Sequence, residues 1–264
     1  MEREKALELL RKYNKERLII FFLCCGMGLL SSCGQQKEGQ QKEMNVLLIV
    51  GGHGFDEGPF YAMMDKLPGI TYEVAEHPDA YQYLKPGKIE GYDAVLLYDM
   101  PSEIPEDAKK DFVAMLEKGT GLVVLHHAFC SYDFWPEYTN IVGGRYHHFP
   151  WQKDGEEQPP STYKHDLVLN VKVMDSKHPV TKRISDFQIV DEAYGGTEIL
   201  ESVHPLLATD EPASAPLVGW TNHYANAKVV TLTLGHDKQA WENPVFSQLL
   251  SQAISWVGDS VNGK

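Results

Sequence analysis

Apolar residues in this chain gather in short unbroken runs rather than strict alternation. Asn45-Val46-Leu47-Leu48-Ile49-Val50 ends in Gly51-Gly52, and Ala94-Val95-Leu96-Leu97-Tyr98 and Leu122-Val123-Val124-Leu125 repeat the pattern. Runs of this length bounded by turn residues fit strands buried on both faces of a parallel sheet. Ile70–Ala75 is expected to be another strand. Between the runs the period changes, and a helix is predicted from Gly58 to Lys66. A second helix is predicted after Pro105, because proline suits the first turn, Glu106 and Asp107 suit the positive helix end, and Phe112, Met115 and Leu116 recur at core-facing spacing as far as Lys118-Gly119. Strands alternating with helices predict an α/β fold, a three-layer α/β/α sandwich with a mostly parallel sheet and right-handed crossovers, the first strand lying centrally.

The second half is less regular. Residues 130–165 are rich in Trp, Tyr, Pro, His and Gly and too long for an ordinary connection, so a functional cap is expected there. Leu167–Val173, Gln188–Val190, Leu217–Trp220 and Lys228–Leu234 read as further strands, some of them antiparallel. Pro244–Trp256 reads as a closing amphipathic helix.

The start of the chain has a different grammar. Arg11, Lys12, Lys15 and Arg17 precede an apolar run, Leu18–Leu30, of 13 residues. A spanning helix needs roughly 20 apolar residues, whereas signal-peptide cores run roughly 7–15. Leu30-Ser31-Ser32-Cys33 follows, similar to a bacterial lipobox. Residues 1–33 are therefore expected to be a lipoprotein signal peptide with Cys33 as the lipidation site, against the alternatives of an ordinary signal or a buried N-terminal helix. Residues 34–44 are polar and unable to bury enough surface to order themselves, and are expected to be a flexible tether. The domain is expected over 45–264. The expected location is the bacterial cell envelope, on the periplasmic or surface face of the outer membrane, with the lipid as membrane partner.

Setting aside that leader sharpens the charge balance. Residues 34–264 carry 18 Lys+Arg against 33 Asp+Glu, a net of −15. Such a surface repels polyanions, and no local run of Lys or Arg supplies the basic footprint that nucleic acid requires, so no nucleic-acid partner is expected. Of the cysteines only Cys130 remains in the domain, which rules out an intramolecular disulfide.

Ligands in open α/β sheets bind beyond the carboxyl ends of strands, where strand order reverses. The first strand ends in Gly51-Gly52-His53-Gly54 and the fourth in His126-His127. Gly143-Gly144-Arg145-Tyr146-His147-His148 adds a guanidinium and more imidazoles from the cap. Asp191-Glu192-Ala193-Tyr194 follows a strand, and Gly235-His236-Asp237 ends the last one. Each has a bland alternative: His236 and Asp237 read equally as a helix-capping pair, and Asp191-Glu192 as a solvated turn. His178-Pro179 and His204-Pro205 read as turn starters. Trp135, Tyr138, Tyr146, Trp151, Tyr194, Trp220 and Trp241 could stack on sugar rings or pack in the core.

Gly51-Gly52-His53, Gly121 through Leu125-His126, Ile141-Val142-Gly143-Gly144-Arg145-Tyr146, His178-Pro179, Asp191-Glu192-Ala193-Tyr194 and Gly235-His236 stand in the order and approximate spacing of the trehalose-utilisation ThuA-like family, which this chain resembles over about residues 45–257. The resemblance implies a class I glutamine amidotransferase-like, flavodoxin-like fold and a role in trehalose, sucrose or other glycoside use, often through 3-keto sugars. Two departures stand out. Where amidotransferases place a nucleophilic cysteine on a strained strand-to-helix turn, this chain reads Leu125-His126-His127-Ala128, and Cys130 comes too late, so amidotransferase chemistry is not expected. The family's cap ends in His-Pro, whereas this chain has His147-His148-Phe149-Pro150.

The expected function is acid/base chemistry on a keto-sugar or glycoside: isomerisation, epimerisation or elimination, with or without metal assistance. Glu192, His236 and His126 are the candidate catalytic residues, Glu192 serving as base. Gly52, His53, His127, Arg145, Tyr146, His148, Tyr194 and Asp237 are candidate substrate contacts. His126, His236 and Glu192 are also the candidate ligands of a divalent zinc, manganese or nickel ion, and no nucleotide cofactor is expected. The expected partners are a small carbohydrate and, as an open alternative to a monomer, a second copy of the chain. The rival reading is a non-catalytic glycan-binding lipoprotein that captures sugars on its aromatic residues.

Overall fold

The structure is a computed structural model that describes residues 43–259. The proposed leader, Cys33 and the tether up to residue 42 lie outside the described residues.

Chain order begins β1 (Met44–Gly51), α1 (Glu57–Met64), β2 (Ile70–Glu76), β3 (Ala94–Asp99), α2 (Glu106–Glu117) and β4 (Gly121–Leu125). A 3-10 turn, His126–Cys130, leads to α3 (Pro136–Val142), β5 (Gly144–Arg145), β6 (Trp151–Lys153) and β7 (Glu156–Gln158). Then come β8 (Thr162–Val173), β9 (Phe187–Gly195), β10 (Glu198–Ile199), β11 (His204–Thr209), β12 (Leu217–Tyr224), β13 (Ala227–Leu232), α4 (Lys238–Trp241) and α5 (Pro244–Gly258).

Nine strands form one sheet in the order β2-β1-β3-β4-β13-β12-β11-β8-β9. Pairings from β2 through β13 are parallel, and those beyond β13 are antiparallel. The expected sandwich with a parallel core is thus present, with an antiparallel wing along one side. β1 lies second from the edge rather than at the centre of the full sheet. β5 and β10 pair separately, as do β6 and β7.

Unbroken apolar runs follow from burial on both faces. Along β1, Val46, Leu48 and Val50 enter one core with Phe60 and Met64 of α1 and Phe246 and Leu250 of α5, while Leu47 and Ile49 enter the other with Phe112 and Leu116 of α2 and Ile141 of α3. Successive side chains of a strand point to opposite faces, so a strand covered on both sides has no polar alternate.

Several boundaries differ from the sequence reading. β8 starts at Thr162, five residues early, because Thr162–Asp166 are exposed and carry no apolar signal. β9 runs on through Gly195, so Asp191–Tyr194 lie within a strand rather than after one or in a solvated turn. His204-Pro205 opens β11 instead of a turn. His178-Pro179 does sit in a turn, where His178 Nδ1 accepts from the Val180 amide at 3.2 Å.

Candidate functional site

The carboxyl ends of β1, β3 and β4, the segment after β13, and the flank of β9 enclose a cavity of about 370 Å³. Six histidines line it: His53, His126, His127, His148, His165 and His236. Met100, Cys130, Tyr146, Tyr163, Glu192 and Tyr194 complete the wall. The reversal of strand order lies close by, because β2 and β3 flank β1 on opposite sides.

His126 occupies the first position of the turn after β4 with φ of +51°, left-handed backbone that a histidine adopts at a cost of about 1–3 kcal/mol. It sits where a nucleophile would be displayed in an amidotransferase. Its ring is 1% exposed. Nδ1 lies 2.9 Å from the Thr233 carbonyl, which can only accept, so Nδ1 carries the proton and Nε2 presents a lone pair. Towards that lone pair point the Tyr194 hydroxyl at 2.9 Å and His236 Nδ1 at 3.1 Å. Burial, with His127 alongside, holds the His126 imidazole well below its ordinary range.

Glu192 is 6% exposed. Its Oε2 lies 2.9 Å from His236 Nδ1 and 2.9 Å from His165 Nδ1. The Glu192 hydrogen bond raises the His236 pKa against the opposing effect of burial. One atom each of His126, Glu192 and His236 fall within 4.8 Å of one another, a set able to hold a metal ion.

The His236 segment is fixed from both sides. The buried Asp191 carboxylate accepts from the amides of Gly235 at 2.7 Å, His236 at 2.9 Å and Glu192 at 2.8 Å. Burial pushes its pKa up to about 7, while those three amides favour the charged form. Opposite, Tyr98 Oη and Trp241 Nε1 donate to the Gly235 carbonyl at 3.0 and 2.9 Å. Asp191 thus ties two lining residues, Glu192 and His236, to one anchor.

Several other predicted contacts reach the cavity. His53 and His127 stack with ring centroids 4.8 Å apart. His127 Nε2 is buried without a hydrogen-bond partner, and burial followed by His53 drives the ring pKa down to about 3. Tyr146 and Tyr194 meet edge to face. His148 faces the cavity with Nδ1 on Asp133, whereas His147 stacks on Trp151 at 3.9 Å and bonds Glu198, outside the lining. That separates the two adjacent imidazoles.

Three predicted contacts lie elsewhere. Gly52 borders a neighbouring cleft with His77 and Tyr81, where the Met100–Pro101 backbone leaves no room for a Cβ. Arg145 is committed to the Asp133 carbonyl and Thr139 Oγ1. Asp237 caps α4 by accepting from the Gln239 amide at 2.7 Å, so the capping reading describes it. Of the aromatic residues weighed as sugar platforms, Trp135, Tyr138, Trp220 and Trp241 are buried in the two cores, whereas Tyr146 and Tyr194 line the cavity.

His165 and Tyr163 were missed. Between Lys164 and Leu167 the register of β8 against β9 shifts, and Asp166 has φ of +56°. Such a bulge re-aims side chains, here with His165 bonded to Glu192. The only linear hint is a histidine in an exposed polar stretch. His77 was missed as well: its Nε2 lies 2.6 Å from the fully buried Asp99 at the end of β3. Cys130 lines the cavity, but burial pushes its thiol pKa far up, the opposite of a nucleophilic thiolate.

The family model described as trehalose utilisation, ThuA, matches residues 45–257. A ThuA-like protein from Parabacteroides merdae superimposes with a TM-score of 0.69 at 18% identity, covering 84% of this chain and 93% of that one. A ThuA-like protein from Bacteroides uniformis gives 0.61 at 19% identity, over 85% and 95%. A cytoplasmic protein of Salmonella typhimurium gives 0.54 at 12%, over 80% and 98%. At these identities the structural likenesses show the fold alone. No protein of curated function matches in sequence.

Proposed function

Since this chain belongs to the ThuA family of trehalose utilisation, its role lies in carbohydrate utilisation, and we propose that its cavity performs acid/base chemistry on a keto-sugar or glycoside. The observation that carries this reading is the meeting of Glu192, His126 and His236, brought from three distant segments to within 4.8 Å.

A ring carbonyl acidifies the neighbouring C–H, so a base can take that proton while a donor holds the oxygen that becomes an enolate. Isomerisation, epimerisation or elimination of the glycosidic group can follow. Glu192 is the base in this scheme, and the proton on His236 and the Tyr194 hydroxyl are the donors beside it. The unpartnered Nε2 of His127 suits a sugar hydroxyl. Burial holds the His126 and His127 pKa values down, which favours neutral rings with a nitrogen free to accept a hydrogen bond.

The same donors fit a divalent ion, because two imidazoles and a carboxylate suit zinc, manganese or nickel, and the Thr233 carbonyl orients the His126 lone pair as a ligand requires. His126 Nε2, His236 Nδ1 and the Glu192 carboxylate would hold it. Such an ion would supply Lewis-acid polarisation of the sugar carbonyl. We further propose that the protein works at the cell envelope, held there through a lipid on Cys33. The glycan-binding alternative would rest on Tyr146, Tyr163 and Tyr194, the aromatic residues besides histidine that line the cavity.

The test is turnover of a panel of 3-keto-glucosides with and without chelator. Glu192→Gln is expected to lower turnover about 10²–10⁴-fold with substrate binding nearly intact, and His236→Ala to weaken any bound metal or slow the same step. Full activity of both variants on a confirmed substrate would remove the mechanism.

A further inference from the structure

A second cleft, of about 740 Å³, has Gly52, His77, Tyr81, Met100, Ser102 and Glu103 in its wall. It lies where β1, β2 and β3 end, at the reversal of strand order, and Met100 also lines the histidine cavity. His77 follows β2 with its side chain 7% exposed, and Asp99 ends β3 fully buried. Their Nε2 and Oδ2 atoms are 2.6 Å apart. His77 Nδ1 is buried and has no hydrogen-bond partner among the described residues.

Charge decides where the protons of this pair lie. Net charge away from water is costly, and burial pushes the Asp99 pKa up while the His77 contact opposes it. The pair is therefore neutral overall. It is either a carboxylic acid donating to Nε2 of an uncharged imidazole or a carboxylate accepting from an imidazolium. In both forms Nδ1 bears a hydrogen. A buried donor left unpaired is unfavourable, and an acceptor oxygen would satisfy it.

We propose that this cleft is a second ligand site, in which His77 Nδ1 donates to an oxygen of a neutral, polyhydroxylated molecule of the sugar class. An anion would meet the Glu103 carboxylate with no Lys or Arg in the wall. A metal ion would find one imidazole and one carboxylate, fewer than the three protein ligands of an open site. An apolar molecule would leave Nδ1 unpaired. A polyol answers every group, with an oxygen for Nδ1, hydroxyls for Ser102 and the Glu103 carboxylate, and C–H faces for Tyr81 and Met100. Tyr81 is held for that contact, because its hydroxyl donates to the Glu103 carbonyl at 3.0 Å and its ring lies 4.5 Å from the imidazole. With Met100 common to both walls, the ligand is either a separate sugar or the far end of a glycoside whose reacting ring sits among the histidines.

The test is nitrogen NMR of the full-length protein labelled at histidine, titrated in turn with glucose, trehalose and glucose 6-phosphate. The His77 signal is assigned with His77→Gln or, where that variant does not fold, with Tyr81→Phe, which perturbs the imidazole beside it. Nδ1 should carry a hydrogen, and glucose or trehalose should move its signal saturably, with the phosphate binding more weakly. Ser102→Ala and Glu103→Gln, both at exposed positions, should each weaken the sugar about 2–10-fold, the scale of one hydrogen bond. Movement with glucose identifies a separate sugar, and movement with trehalose alone identifies the far end of a glycoside; both support the site. A His77 signal unmoved by either sugar, an Nδ1 without a hydrogen, affinity untouched by both substitutions, or tighter binding of the phosphate would overturn it.

Discussion

Replacing Gly52 by alanine tests how the loops around the cavity are held. A Cβ built at Gly52 would lie 2.6 Å from the Met100 carbonyl carbon, 2.7 Å from its oxygen and 2.7 Å from the Pro101 nitrogen. Unbonded heavy atoms settle at roughly 3.5–4.0 Å, and these neighbours are backbone, so the loop after β3 must move. Gly52 also has φ of +80°, left-handed backbone that costs an L-residue roughly 1–2 kcal/mol. Overpacking adds about 1–3 kcal/mol. The loss should therefore be about 2–5 kcal/mol, or a melting temperature lower by roughly 5–15 °C for a domain of this size. Gly54→Ala is the matched control, since nothing lies within 4 Å of a Cβ there and its φ is not left-handed. Thermal and urea unfolding of both variants, followed by circular dichroism, provide the comparison. Met100 lines the cavity, so Gly52→Ala should also lower turnover where Gly54→Ala does not. Equal melting temperatures for Gly52→Ala and the parent would refute the close approach and restore a ligand-facing role for Gly52.

Other outcomes follow from the same geometry. Changing Cys33 to Ala should move the protein from the membrane fraction to the soluble one; retention as firm as the parent's would argue against the lipid anchor. His236 has a raised pKa in the folded state, so its ionised pairing with Glu192 stabilises fully below the unfolded value of 6.5 and fades as pH rises through the folded value. The melting-temperature gap between the parent and His236→Asn should accordingly shrink from pH 6 to pH 9, and a gap that widens would contradict the pairing. Cys130→Ser should keep turnover, and the native thiol should resist iodoacetamide at pH 8 until the protein unfolds; rapid alkylation would restore a nucleophilic role.

Much of the fold was legible because its signal is local. Strands covered on both faces must be apolar at every position, and β1, β3 and β4 advertise themselves in that way. Glycines and histidines just past those strands were readable as a crevice for the same reason, since the rule about carboxyl ends needs only strand boundaries and order. The antiparallel wing was harder. The first five residues of β8 are solvent-exposed, and β9 buries Asp191 and Glu192, so apolar patterning fails at both. Proline beside His204 imitates a turn, yet this pair opens an interior strand.

Sequence alone determined the α/β class, the apolar cores on both faces of the parallel strands, the acidic charge balance, and the histidines and carboxylates available for chemistry. Tertiary structure decided which of them meet. A bulge in β8 turns His165 towards Glu192, the Asp191 anchor seats His236, and the Asp133 contact selects His148 over His147. Arg145, Asp237 and Gly52 go instead to a carbonyl, a helix cap and a tight backbone contact. The difference is physical: burial of a strand is a property of consecutive residues, whereas a site depends on register, backbone angle and hydrogen-bond competition between segments up to 138 residues apart.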